Sequence, residues 1–141
     1  NILKDIASSN NISEPNQTIY RGISLDRKIV EDISMAGASF NHGDISSWSF
    51  DKNVAVDFAS EAFDVNVNVK RLPNQVMVIF GCNNPRRGSF IGPISRFRDQ
   101  QEVLSSGETT TTKSFNTEES FVDVDGSKEL YDILYIECVQ S

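Results

Sequence analysis

The sequence predicts an α+β domain with its helices early and its strands late. Two observations predict it. Apolar residues recur at helical spacing between positions 25 and 63, and after Pro73 the pattern changes to short continuous or alternating apolar runs. Helices followed by strands argue against the alternating order of a parallel α/β fold.

Taken in order, residues 2–8 have the spacing of a helix end, and Gln17 to Gly22 reads as a short strand after a polar loop with Pro15. Ser24 is placed to cap a helix carrying Leu25, Ile29, Val30 and Ile33 on one face, with Gly37 to stop it. A short strand near Ile45 leads to a second helix from Asp51 to Phe63, whose Val54, Ala55, Phe58, Ala59 and Ala62 follow helical spacing. Val76–Phe80 is an apolar run of central-strand length, and Ser89–Ile91, Glu102–Leu104 and Thr109–Phe115 are further strands. Ser120–Val124 and Leu130–Val139 flank Asp125-Gly126, a tight-turn pair.

A chain of 141 residues builds one domain with a real core but not two, so residues 1–141 are expected to form a single domain. It begins Asn1-Ile2-Leu3 with neither Met nor a signal pattern, and reads as a fragment of a longer chain. Hydrophobic content of 38% and charged content of 23% place it among soluble globular chains, and no apolar run reaches the ~20 residues of a membrane span. The net charge of −7 makes it a poor generic ligand for nucleic acid or anionic membrane. Against that background no Asp or Glu occurs between Lys70 and Arg98, a stretch holding Arg71, Arg86, Arg87 and Arg96; it is either a local anion site or a solvated basic edge. Cys82 and Cys138 each end an apolar run and read as buried strand thiols, too few for a disulfide scaffold.

Several chemistries are excluded. There is no GxGxxG, no GxxxxGK[ST] and no HExxH. The single histidine, His42, rules out a multi-histidine metal site in this chain, and beside Gly43 it reads as a surface-loop residue rather than a triad member.

Three short patches remain: Ile19-Tyr20-Arg21-Gly22 at a strand end, Ser47-Trp48-Ser49 before a helix, and Gly92 to Leu104 with its Pro93-Ile94-Ser95, Phe97 and Gln100-Gln101-Glu102. Singly, the arginine could be a surface ion pair and the serines a helix cap. In this order and spacing they resemble the NAD-dependent mono-ADP-ribosyltransferase family, whose motifs are an Arg, a Ser-Thr-Ser and a Glu/Gln-x-Glu. The third patch is most similar to the small clostridial exoenzymes that modify Rho GTPases. Trp48 stands where the family usually has Thr, and is expected to pack as a core aromatic.

The resemblance implies an ADP-ribosyltransferase-like fold: two packed, mainly antiparallel sheets forming an NAD cleft, with flanking N-terminal helices. It implies cleavage of the nicotinamide–ribose bond of NAD⁺, used as a co-substrate without a metal, through an oxocarbenium-like ribose. Glu102 would be the catalytic carboxylate, Ser47 the hydroxyl that fixes it, and Arg21, Gly22, Ser47 and Arg71 the NAD-binding set. Phe97 and Gln100 would meet the acceptor, with Gln100 also serving catalysis. Arginine-modifying relatives usually carry Glu at the Gln100 position, so Gln points to a different acceptor, an asparagine-like side chain of a target protein. A nucleic-acid base is the second reading, and a decayed interaction module the third. A monomer working in the reducing cytosol of a host or target cell, without membrane contact, completes the expectation, with NAD⁺ glycohydrolysis as a side activity.

Overall fold

The computed structural model describes residues 17–63, 75–83, 85, 88–90, 102–124 and 127–141. The expected helix end at residues 2–8 and the segment 94–101 expected to meet the acceptor lie outside them. The elements run β1 (Thr18–Asp26), α1 (Arg27–Ile33), β2 (Ser39–Asn41), β3 (Ile45–Ser49), α2 (Lys52–Phe63), β4 (Gln75–Asn83), β5 (Ser89–Phe90), β6 (Glu102–Ser106), β7 (Thr109–Val124) and β8 (Ser127–Gln140). This is the predicted α+β order, helices early and strands late.

The strands form one hydrogen-bonded sheet in the order β2-β7-β8-β4-β1-β3-β6-β5, antiparallel at every step except β4–β8. Two separate sheets were expected. The reason for the difference is local. β1 pairs with β4 over nine successive residues, Thr18↔Asn83 to Asp26↔Gln75, but with β3 at the single pair Tyr20↔Ser49. The sheet is thus continuous yet nearly divided at that point.

The long β1–β4 ladder also moves a helix start. β1 continues through Ser24 and Leu25, so Ser24 is a strand residue whose Oγ donates to Gln75 Oε1 at 2.8 Å. Asp26 caps α1 instead, accepting from the Lys28 amide at 2.9 Å. The helix ends at Ile33, and Gly37 takes up the following turn at φ +89°. The two strands expected at Thr109–Phe115 and Ser120–Val124 are one 16-residue strand with a register irregularity between Thr112 and Ser114. A pairing partner of 14 residues in β8 carries it across the polar stretch between them.

Side chains alternate across β4. Val78, Phe80 and Cys82 join Ile19, Ile33, Trp48, Val103, Ile136 and Cys138 in one buried cluster. Met77 and Ile79 join Ala55, Val56, Ala59 and Ile133 in the other, against α2. Each fully buried aliphatic or aromatic side chain contributes roughly 1.5–3 kcal/mol. The approach of α2 is set by Gly22: a Cβ there would lie 1.6 Å from the Ala55 carbonyl oxygen, so only glycine fits. Cys82 and Cys138, 56 positions apart in sequence, are register partners on the parallel strands β4 and β8, and both are buried thiols.

Candidate functional site

β3 and β6 build the first part of the site. Their pairing sets Ser47 opposite Leu104 and Ser49 opposite Glu102. Directly opposed residues of an antiparallel pair share a face, so Ser47, Ser49, Glu102 and Leu104 share one. Ser46, Trp48, Val103 and Ser105 take the other and are buried, with Trp48 Nε1 donating to Ser46 Oγ at 2.8 Å. Trp48 is a core aromatic, as expected, and filling the core with it directs its neighbours Ser47 and Ser49 away from it.

On the face away from Trp48, Ser47 Oγ donates to Glu102 Oε2 at 2.5 Å. This short bond joins two residues 55 positions apart, both partly exposed. The serines are therefore not a simple helix cap. Asp51 does the capping of α2, accepting from the Asn53 amide at 2.9 Å, while Ser49 Oγ accepts from the Asp51 amide at 3.0 Å. Ser47 is left to the carboxylate.

Arg21 lies in the neighbouring strand. Tyr20, Ser49 and Glu102 are successive register partners across β1, β3 and β6, so Arg21 stands one residue from the row that carries Glu102. Its side chain alternates with Tyr20 and Gly22 and turns to the Trp48 side, where Nη1 meets His42 Nδ1 at 2.5 Å. The structure thus brings Ser47 and Glu102 into contact and sets Arg21 beside their row, with its head on His42 rather than on the pair. Burial lowers the Arg21 guanidinium to about 10, which leaves it charged at neutral pH.

His42 is a correction to the surface-loop reading: it is only 5% exposed. Its amide donates to the Glu108 carbonyl at 2.8 Å, and the Gly107 amide to the Asp44 carbonyl at 2.9 Å, so the loop is stitched to the β6–β7 corner. Its ring sits among Phe40, Phe80 and Trp48, with centroids 4.7, 4.8 and 5.0 Å away. Nε2 is 2.9 Å from Thr110 Oγ1. Burial, then the charge of Arg21, push its pKa down to about 3, so the ring is neutral at ordinary pH. One signal was present in the sequence: Phe40 and His42 share parity and point the same way along an extended segment.

Sequence reasoning also passed over Glu108. It is buried at 2% exposure, where its Oε2 accepts from Ser105 Oγ at 2.7 Å and from Gln140 Nε2 at 3.3 Å. Arg71, Phe97 and Gln100 lie outside the described residues, as does most of the basic stretch from Lys70 to Arg98. Among the described residues no cluster of three His, Cys, Asp or Glu is placed to hold a metal, and no helix is long and apolar enough to cross a membrane. A groove of about 790 Å³ between α1 and the β7–β8 hairpin, lined by Arg27, Val30, Gln75, Phe115 and Leu130, includes none of the expected site residues.

No protein-family profile matches the chain, and no curated protein matches its sequence. Solved structures do. The ADP-ribosyltransferase Vis of Vibrio splendidus superposes with a TM-score of 0.63 at 18% identity, over 94% of this chain and 51% of Vis. The enzymatic component C2-I of the Clostridium botulinum C2 toxin gives 0.60 at 16%, over 99% of this chain and 34% of C2-I. HopU1, an ADP-ribosyltransferase of Pseudomonas syringae pv. Tomato DC3000, gives 0.54 at 15%, over 98% and 48%. The chain thus spans about half the length of Vis and HopU1, and what it shares with all three is the ADP-ribosyltransferase fold.

Proposed function

We propose that this chain is the catalytic domain of an NAD⁺-dependent mono-ADP-ribosyltransferase with Glu102 as its essential carboxylate. The observation that carries this reading is the Ser47–Glu102 hydrogen bond of 2.5 Å, made between adjacent strands of an ADP-ribosyltransferase fold. A carboxylate held by a neighbouring hydroxyl keeps one orientation and needs no rearrangement when charge develops in front of it.

In the reaction, the bond between the nicotinamide nitrogen and ribose C1′ breaks. The electron pair leaves with nicotinamide, which departs neutral, and the ribose takes the positive charge. Glu102 accepts a hydrogen bond from a ribose hydroxyl and stabilises that charge. An acceptor lone pair then bonds to C1′, and the acceptor loses its proton to solvent or to a nearby base. Water in place of the acceptor gives NAD⁺ glycohydrolysis.

Arg21 offers forked donors to the pyrophosphate, and Arg71 is the second phosphate arginine of the proposal. Gly22 supports Arg21 from behind, because its missing side chain lets α2 close onto β1. Gln100 and Phe97 orient the acceptor. A neutral amide carries both donor and acceptor atoms, which suits an asparagine-like side chain of a target protein better than a guanidinium.

The test is incubation of the protein with labelled NAD⁺ and cell lysate, followed by mass spectrometry of the labelled residue. The expected result is ADP-ribose on one protein residue type other than arginine, absent with Glu102→Ala. A folded wild-type protein that neither consumes NAD⁺ nor labels any macromolecule refutes the reading, and label that survives protease but not nuclease moves the acceptor to nucleic acid.

A further inference from the structure

The direction of the hydrogen bonds behind Arg21 is determined by their chemistry. A guanidinium is only a donor, so His42 Nδ1, 2.5 Å from Arg21 Nη1, must present a lone pair. A neutral imidazole then carries its proton on Nε2, which donates to Thr110 Oγ1 at 2.9 Å. One directed chain results, Arg21 to His42 to Thr110.

The chain is held in place. Thr110 is buried, and the rings of Phe40, Trp48 and Phe80 pack around the imidazole. With the proton on Nδ1, an N–H would face the guanidinium, two donors would oppose each other, and Arg21 would lose its anchor.

We propose that His42 is a positioning residue for Arg21, and that Thr110 holds the imidazole for this role by accepting from its Nε2–H. This rests on the assignment of Arg21 to the NAD⁺ pyrophosphate. Because Arg21 acts on binding, loss of the anchor raises KM for NAD⁺ and leaves kcat nearly unchanged. That split separates positioning from a merely structural role for Thr110.

The test compares Thr110→Val with Thr110→Ser, and reads the ring tautomer by nitrogen NMR of the wild-type protein. Thr110→Val keeps the shape and removes the acceptor. It is expected to raise KM for NAD⁺ about tenfold, the size of one weakened charge-assisted hydrogen bond, with kcat within about twofold. Thr110→Ser restores the hydroxyl and is expected to stay near wild type. The wild-type spectrum should show a bare Nδ1 and a protonated Nε2. A Thr110→Val enzyme with unchanged KM, or a wild-type ring protonated on Nδ1, overturns the proposal. Should Thr110→Val fail to fold, the tautomer of the wild-type ring and the KM of Thr110→Ser decide. A wild-type protein with no NAD⁺ turnover at all sinks the functional reading and this proposal with it, whereas turnover with an indifferent Thr110→Val sinks the proposal alone.

Discussion

Glu102 opens β6 and Glu108 lies two residues past its end, and both accept a hydrogen bond from a serine hydroxyl: Ser47 at 2.5 Å and Ser105 at 2.7 Å. Their surroundings differ. Glu108 is enclosed and also takes a bond from Gln140, whereas Glu102 opens toward solvent on the face away from the core. The difference teaches which carboxylate is available for chemistry. A buried acid bonded to protein donors ties strands together, while a partly exposed one, held but not enclosed, can meet a substrate. The short strand between them sorts one residue type into two uses.

The largest expected effect tests the open end. Glu102→Ala should lower NAD⁺ turnover by about 10²–10³-fold, the usual loss when a group aligned with transition-state charge is removed. Its melting temperature should stay within a few degrees of wild type, and a variant that remains fully active breaks the comparison. The enclosed end should behave in the opposite way. Glu108→Ala leaves the Ser105 hydroxyl and the Gln140 amide short of a partner and should cost about 2–3 kcal/mol by urea denaturation. Its kcat per folded molecule should match the wild type; a large kcat loss with unchanged stability would make Glu108 the functional acid.

Ser47→Ala sharpens the same contrast more gently. It frees the Glu102 rotamer without removing the charge, and turnover should fall roughly tenfold with little change in stability.

The last effect is a slope with pH, and it belongs to the buried side. His42 has a folded pKa of about 3 against an ordinary value of 6.5. Between those values the unfolded chain binds a proton that the folded chain does not. Stability therefore falls as pH drops from about 6.5 toward 3, by at most ~1.4 kcal/mol per pH unit from this residue, and is unaffected by it above that window. His42→Asn should remove this component of the slope whatever it does to stability at pH 7. Chemical denaturation at pH 5 and pH 7 in both proteins measures it, and equal slopes would contradict the buried neutral ring.

Much of this was legible in the residues. The apolar run Val76–Phe80 announces a central strand, and β4 is that strand with one residue added before it and three after it. Helical spacing from Val54 to Ala62 announces α2, because a period of 3.6 puts those positions on one face whatever the helix packs against. The pairing of Ser47 with Glu102 was also foreseeable, but only through a resemblance: nothing in a sequence separation of 55 residues makes two side chains meet.

What the sequence determined by itself was local: which segments alternate, which repeat every three to four residues, and which residue types are present to do chemistry. What only the tertiary structure decided was everything set by long-range pairing. Ser24 is a strand residue because β4 supplies nine register partners to β1. The sheet is one rather than two because Tyr20 meets Ser49. Cys82 and Cys138 are neighbours because β4 and β8 run parallel. His42 is buried because its loop is stitched to the β6–β7 corner and its ring fills a space between Phe40, Phe80 and Trp48. Burial and register depend on which distant strand arrives alongside, and that is a property of the whole chain's packing rather than of any residue's immediate neighbours.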